Sequence, residues 1–224
     1  MYYTQTFCQS TVITENRKWL TEILTWLVVA NEDVTLSMVK EAAEWFLGDE
    51  RLQFDEFVKV DCGTLLHLIS SESEMRIELV HETLRTFLTD AEACPIPIPL
   101  HDGHNHILSI CLDILSSERD ESSEEGKTLK RYASENWVEH ISKASVASLG
   151  LVPAFLESDG FKWWISYKAF EITLRGDGSL HFTPEEDVDK IYRSIHVKEN
   201  AQGLATVWPP WSGAPGPPDV KTAP

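Results

Sequence analysis

Apolar residues first recur with helical spacing at Leu20, Ile23, Leu24, Leu27 and Val28. This i, i+3, i+4, i+7, i+8 stripe marks a helix facing a core, and Trp19 and Trp26 widen it. Asn31-Glu32-Asp33 breaks the stripe. Thr35 then stands where a helix needs a cap, Leu36, Val39, Ala43 and Phe46 form a second stripe, and Gly48 supplies the stop. A third, short helix is predicted over 54–60. Leu65-Leu66-His67-Leu68-Ile69 is a short apolar run, and Arg76-Ile77-Glu78-Leu79 alternates with period two. With the polar Ser71-Glu72-Ser73-Glu74 between them, the two runs predict a hairpin. Helical spacing returns from His81 to Leu88. Helix, helix, helix and hairpin is the order of a winged helix.

Pro95, Pro97 and Pro99 fall at alternate positions, so 94–100 is predicted extended and marks a boundary. Beyond it Ile107, Ile110, Cys111, Ile114 and Leu115 form a clean helical stripe, and Leu129, Tyr132, Ala133, Trp137 and Ile141 form another. Glu118 to Glu125 reads as an acidic, Ser-rich loop. Val146 to Leu156 and Phe161 to Phe170 read as two more helices with Gly160 between them. Phe170, Ile172 and Leu174 alternate, as do Leu180 and Phe182, which predicts a small hairpin around Gly176-Asp177-Gly178. Thr183-Pro184-Glu185-Glu186 combines a cap, a first-turn proline and a capping-box glutamate, with Val188, Ile191, Tyr192 and Ile195 behind it at helical spacing. Six prolines and three glycines fall in the last 24 residues, which predicts a disordered tail.

The expected fold is therefore mainly α, a winged helix with a small β-hairpin wing followed by an α-helical arm. The expected organisation is a flexible N-terminus at 1–13, a winged-helix domain at 14–93, a helical domain at 94–198 and a disordered Pro/Gly-rich tail at 199–224.

Charge narrows the functions. Acidic residues number 36 against 19 basic, for a formal charge of −17, so the chain repels phosphate backbones and no nucleic-acid partner is expected. No apolar run approaches the roughly 20 residues that span a bilayer, and the N-terminus has no secretory pattern. Cys8, Cys62, Cys94 and Cys111 are widely spaced, which fits reduced thiols in a cytoplasmic protein.

Motifs for chemistry are sparse. Glu125-Gly126-Lys127-Thr128 resembles the end of a phosphate-binding loop, but Glu121 stands where the loop needs its first glycine. His101-Asp102-Gly103-His104-Asn105-His106 gathers potential metal ligands. No second cluster completes a shell, and Pro99 with Gly103 favours a turn leading into a helix, so no metal is expected. Arg175-Gly176-Asp177 reads as a turn between strands. Trp208-Pro209-Pro210-Trp211 could adopt polyproline II, although an unselected tail accounts for it as well. No nucleophile elbow or zinc-protease motif is present, so neither a catalytic residue nor a cofactor of the chain's own is expected.

One stretch is specific. Leu65 to Leu88 reads LLHLISSESEMRIELVHETLRTFL. It resembles the end of the winged helix that follows the NACHT nucleotide-binding module in STAND-class signalling ATPases, above all the fungal NOD-like receptors. There a strand pair leads to an apolar-Val-His corner and then to a helix with Phe-Leu at its end. Ile23 to Leu36 is similar to the family's first helix and following turn, without its usual Arg-Pro. His106 to Leu115, Tyr132-Ala133 with Trp137 and His140, and Phe155-Leu156 with Trp163-Trp164-Ile165 are similar to its later helices. The resemblance covers roughly residues 14 to 165. It implies a regulatory and interaction module, not an enzyme, that locks or transmits a nucleotide-dependent switch in self/non-self recognition. Its partner would be a NACHT-type module in cis or in trans, or other proteins. The family's phosphate-contacting histidine falls on His81, which would act only beside a NACHT module, with Val80 and Leu84 pointing into the core beneath it. The chain itself carries no P-loop, so it reads as a piece of a larger receptor. Two alternatives stand beside this reading: a DNA-binding winged helix, and a small metal-dependent enzyme centred on His101, His104 and His106.

Overall fold

The computed structural model describes residues 16–31, 33–48, 53–70, 74–117, 124–145 and 150–175, with the backbone alone at 124–127 and 168–175. Helix α1 (Arg17–Val29) buries its apolar stripe, with Leu20, Ile23, Leu24 and Trp26 fully enclosed. Helix α2 (Leu36–Leu47) begins at Thr35, whose side chain accepts the Met38 N–H at 3.2 Å. It ends at Gly48, whose φ of 63° suits a residue without a Cβ. Helix α3 (Phe54–Glu56) runs on into a π-helical turn (Phe57–Asp61) that buries Phe57 and Val58.

Strands β1 (Leu66–Ser70) and β2 (Met75–Leu79) pair antiparallel, with Leu66 opposite Leu79 and Leu68 opposite Ile77. A bridge between Thr35 and Arg76, and the Ile77 N–H donated to Val34 at 3.0 Å, add a third short extended piece to the far side of β2. This piece lies between α1 and α2 in sequence. It ties the wing to the helices, and Arg76 reinforces it with an ion pair to Asp33 at 2.5 Å. Helix α4 (Glu82–Thr89) follows, burying Leu84 and Leu88.

The arm consists of α5 (Leu100–Ser116), α6 (Glu124–Lys143), α7 (Leu151–Leu156) and α8 (Asp159–Arg175). Side chains near the start of α5 meet the end of α6, so the two run antiparallel. The arm is not a separate body. Buried residues from Trp19 on α1 to Trp164 on α8 form one hydrophobic cluster that crosses the boundary at 94. Two glycines let the helices approach. A Cβ on Gly103 would meet the Val29 side chain, and one on Gly160 would meet the Leu115 carbonyl and Ser116 backbone.

Several expectations need correction. The segment from His101 to His106 is the polar entry of a helix, as expected, but Gly103 lies inside the first turns of α5 and not in a turn ahead of it, and α1 packs against it there. Phe170 to Leu174 is helical, within α8, not a strand, and Gly160 lies in the first turn of α8 rather than between two helices. Phe46, on the stripe of α2, is 53% exposed, and Val80 is 46% exposed instead of pointing into the core; Leu84 is buried as expected. The phosphate-loop-like Glu125 to Thr128 lies within helix α6. Residues 1–13, the Ser-rich part of the acidic loop, Gly176-Asp177, the capped segment from Thr183, the proline-tryptophan motif and the 199–224 tail lie outside the described residues.

Among the described residues no helix is long and apolar enough to cross a membrane. Cys62, Cys94 and Cys111 are buried thiols. Desolvation pushes the Cys111 thiol far above its usual range, so it stays protonated and inert.

Candidate functional site

His81 stands at the corner between β2 and α4. Its backbone is extended, with φ −160° and ψ 146°, and it is the N-cap of the helix. The Thr83 N–H donates to His81 Nδ1 at 3.1 Å, and the Thr83 hydroxyl lies 2.9 Å from the same nitrogen. A nitrogen that accepts a backbone N–H carries no proton, so in the uncharged ring the hydrogen is on Nε2. The cap thereby selects a tautomer that offers an N–H donor from an exposed side chain. The corner is held from beneath. The Val80 N–H donates to the Leu65 carbonyl at 2.9 Å, and Leu84 locks α4 to the core. Arg85, one turn on, donates to the Val28 carbonyl at the end of α1 and pairs with Glu82 at 3.3 Å. An anion at Nε2 would thus meet a rigid corner and the N-terminus of α4, with Glu82 as the opposing charge in its first turn.

The histidines of the 101–106 run do not converge. His101 Nδ1 donates to the Lys143 carbonyl at 2.9 Å, His104 Nδ1 lies 2.8 Å from His140 Nδ1, and His106 Nε2 lies 2.8 Å from the Glu22 carboxylate. Asn105 adds a two-way link to Ser145, its amide donating to Oγ and its carbonyl accepting the Ser145 N–H, each at 2.7 Å. Helical geometry explains the division, since residues two apart on a helix point in nearly opposite directions. Among the described residues no group of three or more potential ligands could hold a metal ion. The run fastens α5 to the end of α6 on one side and to α1 on the other.

Its centre is a buried polar chain that sequence reasoning missed. The Tyr132 hydroxyl lies 2.8 Å from His140 Nε2, and His140 Nδ1 faces His104 Nδ1. Two ring nitrogens at 2.8 Å can share only one proton, so one Nδ1 donates, the other accepts, and the two rings cannot both be charged. Burial, then the neighbouring His104 and Lys143, lower the pKa of His140 to about 3. The Asn31 N–H reaches the Tyr132 hydroxyl at 3.4 Å, and Lys143 donates to the Asn31 side chain at 2.9 Å. A parallel arm runs through Glu22, which also receives the Trp26 indole N–H at 2.9 Å, while the Trp26 ring meets Tyr132 edge-on at 5.1 Å. Glu22, His104 and His140 are nearly or fully buried, so these bonds satisfy polar groups that would otherwise be costly there. The i, i+8 placement of Tyr132 and His140 on α6 was the one available sequence signal, because it puts both on the same helix face.

Compared with protein-family models, with curated proteins and with solved structures, the chain finds no match.

Proposed function

We propose that the chain is a non-catalytic regulatory and interaction module of the kind that follows the NACHT module in fungal NOD-like receptors. In this reading it closes over a bound nucleotide through the corner at His81. The observation that carries the reading is the N-cap geometry of that histidine: Nδ1 held by Thr83, an N–H left to offer at Nε2, and the ring exposed on a rigid corner. A neutral donor beside a helix N-terminus suits a phosphate oxygen. Two further features support it. The helix–helix–helix–hairpin–helix order is that of the expected winged helix, and the arm shares one hydrophobic core with it.

The DNA-binding alternative draws no support from the surface. Lys40 on α2 is paired with Glu44, and the third helical segment carries Asp55, Glu56 and Asp61 around Lys59. The metal-enzyme alternative loses its centre, because His101, His104 and His106 each bind a different partner.

The test is a chimera in which residues 14–175 replace the corresponding region of a full-length NOD-like receptor with an intact NACHT module. His81→Asn keeps a capping side chain but moves the donor. The chimera with His81 should stay silent without ligand, and the His81→Asn chimera should trigger cell death spontaneously, because one contact made only in the closed state is lost. Equal silence of both chimeras contradicts the reading.

A further inference from the structure

The apolar stripe of α2 runs past the end of its packing. Leu36, Val39 and Ala43 are buried, but Phe46 continues the stripe onto the surface. On α7, Leu151 is 49% exposed although Val152 and Phe155 beside it are buried. Phe46 and Leu151 both line an open groove of about 470 Å³, which the buried Leu112 and Phe155 line as well. Large side chains left in water along an apolar groove mark a contact surface.

Charge decides what the groove can receive. Asp113 lines it too, and its Oδ2 accepts the Trp45 indole N–H at 2.7 Å. Among the described residues nothing bonds Oδ1, so a carboxylate fixed at the groove keeps one oxygen to offer. Helices α2, α5 and α7 carry the acids Glu41, Glu44, Asp102 and Asp113, and their one lysine or arginine, Lys40, is paired with Glu44. A second copy of a chain with a formal charge of −17 would bring the same acids and no free cation from these helices. A phosphate-bearing surface is repelled in the same way. What suits the groove is an apolar anchor with a cation one helical turn away, the pattern of a basic amphipathic helix laid between other helices.

We propose that this groove receives a basic amphipathic helix of another protein. The apolar stripe of that helix seats against Phe46 and Leu151, and a lysine or arginine beside the stripe pairs with Asp113 Oδ1. The Trp45 indole holds the carboxylate in place for that pairing. The surface uses none of the wing-corner residues, so it stands or falls independently of His81.

The test titrates the full chain into a fluorescein-labelled synthetic helix of about 18 residues, with leucines at i, i+3, i+4 and i+7 and lysines on the other face, and reads fluorescence anisotropy. One control peptide replaces the lysines by glutamates, and another scrambles the leucines at constant composition. Saturable binding of the basic helix is expected, with neither control binding. Leu151→Ser should weaken it roughly tenfold, the effect of losing one buried aliphatic contact, with Leu151→Ala in its place should that variant fail to fold. Asp113→Asn keeps an oxygen for Trp45 and should weaken binding about threefold at low salt, and less at high salt. Val60→Ser changes an exposed apolar residue that does not line the groove, and should leave the affinity unchanged. No binding of the basic helix would overturn the proposal. So would equal binding of the scrambled peptide, or an affinity that Leu151→Ser and Asp113→Asn leave unchanged, since either reduces the binding to general attraction between opposite charges. A dimer of the chain alone in sedimentation equilibrium, dissolved by Leu151→Ser, would give the groove to a second copy and overturn it as well.

Discussion

His81 at the wing corner and His140 in the seam between α1, α5 and α6 each hold a hydrogen bond through Nδ1, and they differ in what surrounds the ring. At the corner the partner is a backbone N–H two residues away, and the rest of the ring is in water. In the seam the partners are His104 and Tyr132, and His140 is wholly enclosed. The first arrangement is local, inexpensive to form and leaves a donor to spend on a ligand. The second has both ring nitrogens committed and no access. Exposure, rather than residue type, separates a histidine that can serve a partner from one that holds the protein together.

The contrast breaks most readily in the seam. His140→Ala removes a fully buried ring and takes the partner from His104 Nδ1 and the Tyr132 hydroxyl, so it should destabilise the chain by about 3 kcal/mol or more. Urea unfolding followed by far-ultraviolet circular dichroism measures it, and a loss under about 1 kcal/mol would show that the seam is wet or adaptable.

The same group makes stability depend on pH. The folded-state pKa of His140 is lowered to about 3, while the unfolded chain takes up the proton near the ordinary value of 6.5. Its contribution is therefore fully present above pH 6.5 and is lost as pH falls towards 3. In that window the folding equilibrium should shift by up to about tenfold per pH unit. Between pH 6.5 and 5, before most carboxylates titrate, His140→Gln should flatten the slope. An unchanged slope would assign the proton uptake elsewhere.

Gly160→Ala sharpens a neighbouring point, that the arm is fastened by close backbone approach as well as by polar bonds. An added methyl would meet the Leu115 carbonyl and Ser116 backbone, which cannot yield as a side chain can. A cost of about 1–3 kcal/mol is expected in thermal melting, and a neutral result would place α8 further from α5.

The corner should give the smallest stability effects. His81→Ala loses one exposed cap bond, at a cost of about 1 kcal/mol, and His81→Asn should restore it to within a few tenths, as thermal melting can resolve. A large melting shift in both variants would make His81 a packing residue like His140.

The sequence exposed the local features of the fold most clearly. Thr35 and Gly48 bracket α2 because caps act within one turn, and the alternation over Arg76 to Leu79 placed β2. His81 was legible for the same reason, since its cap partner is Thr83. Non-local packing was not legible. Pro99 and Gly103 look like a turn until α1 is seen to lie against Gly103. Phe46 belongs to the stripe of α2 by spacing, but whether a stripe is covered depends on other helices. Val80 follows the half-buried Leu79 and points outwards, because the corner turns there. The seam joins His104 to a residue 36 positions away and His106 to one 84 positions away, and no periodicity encodes such pairs.

Titration calorimetry of the full chain into an isolated NACHT module, prepared with ADP and without nucleotide, measures the proposed recognition through the wing corner. Binding to the ADP-loaded form is expected, with weaker binding without nucleotide and a loss of roughly tenfold in affinity for His81→Asn, the size of one charge-assisted hydrogen bond. Equal affinity of the native chain and His81→Asn for both forms, or ADP binding at micromolar affinity by the chain alone, would contradict it.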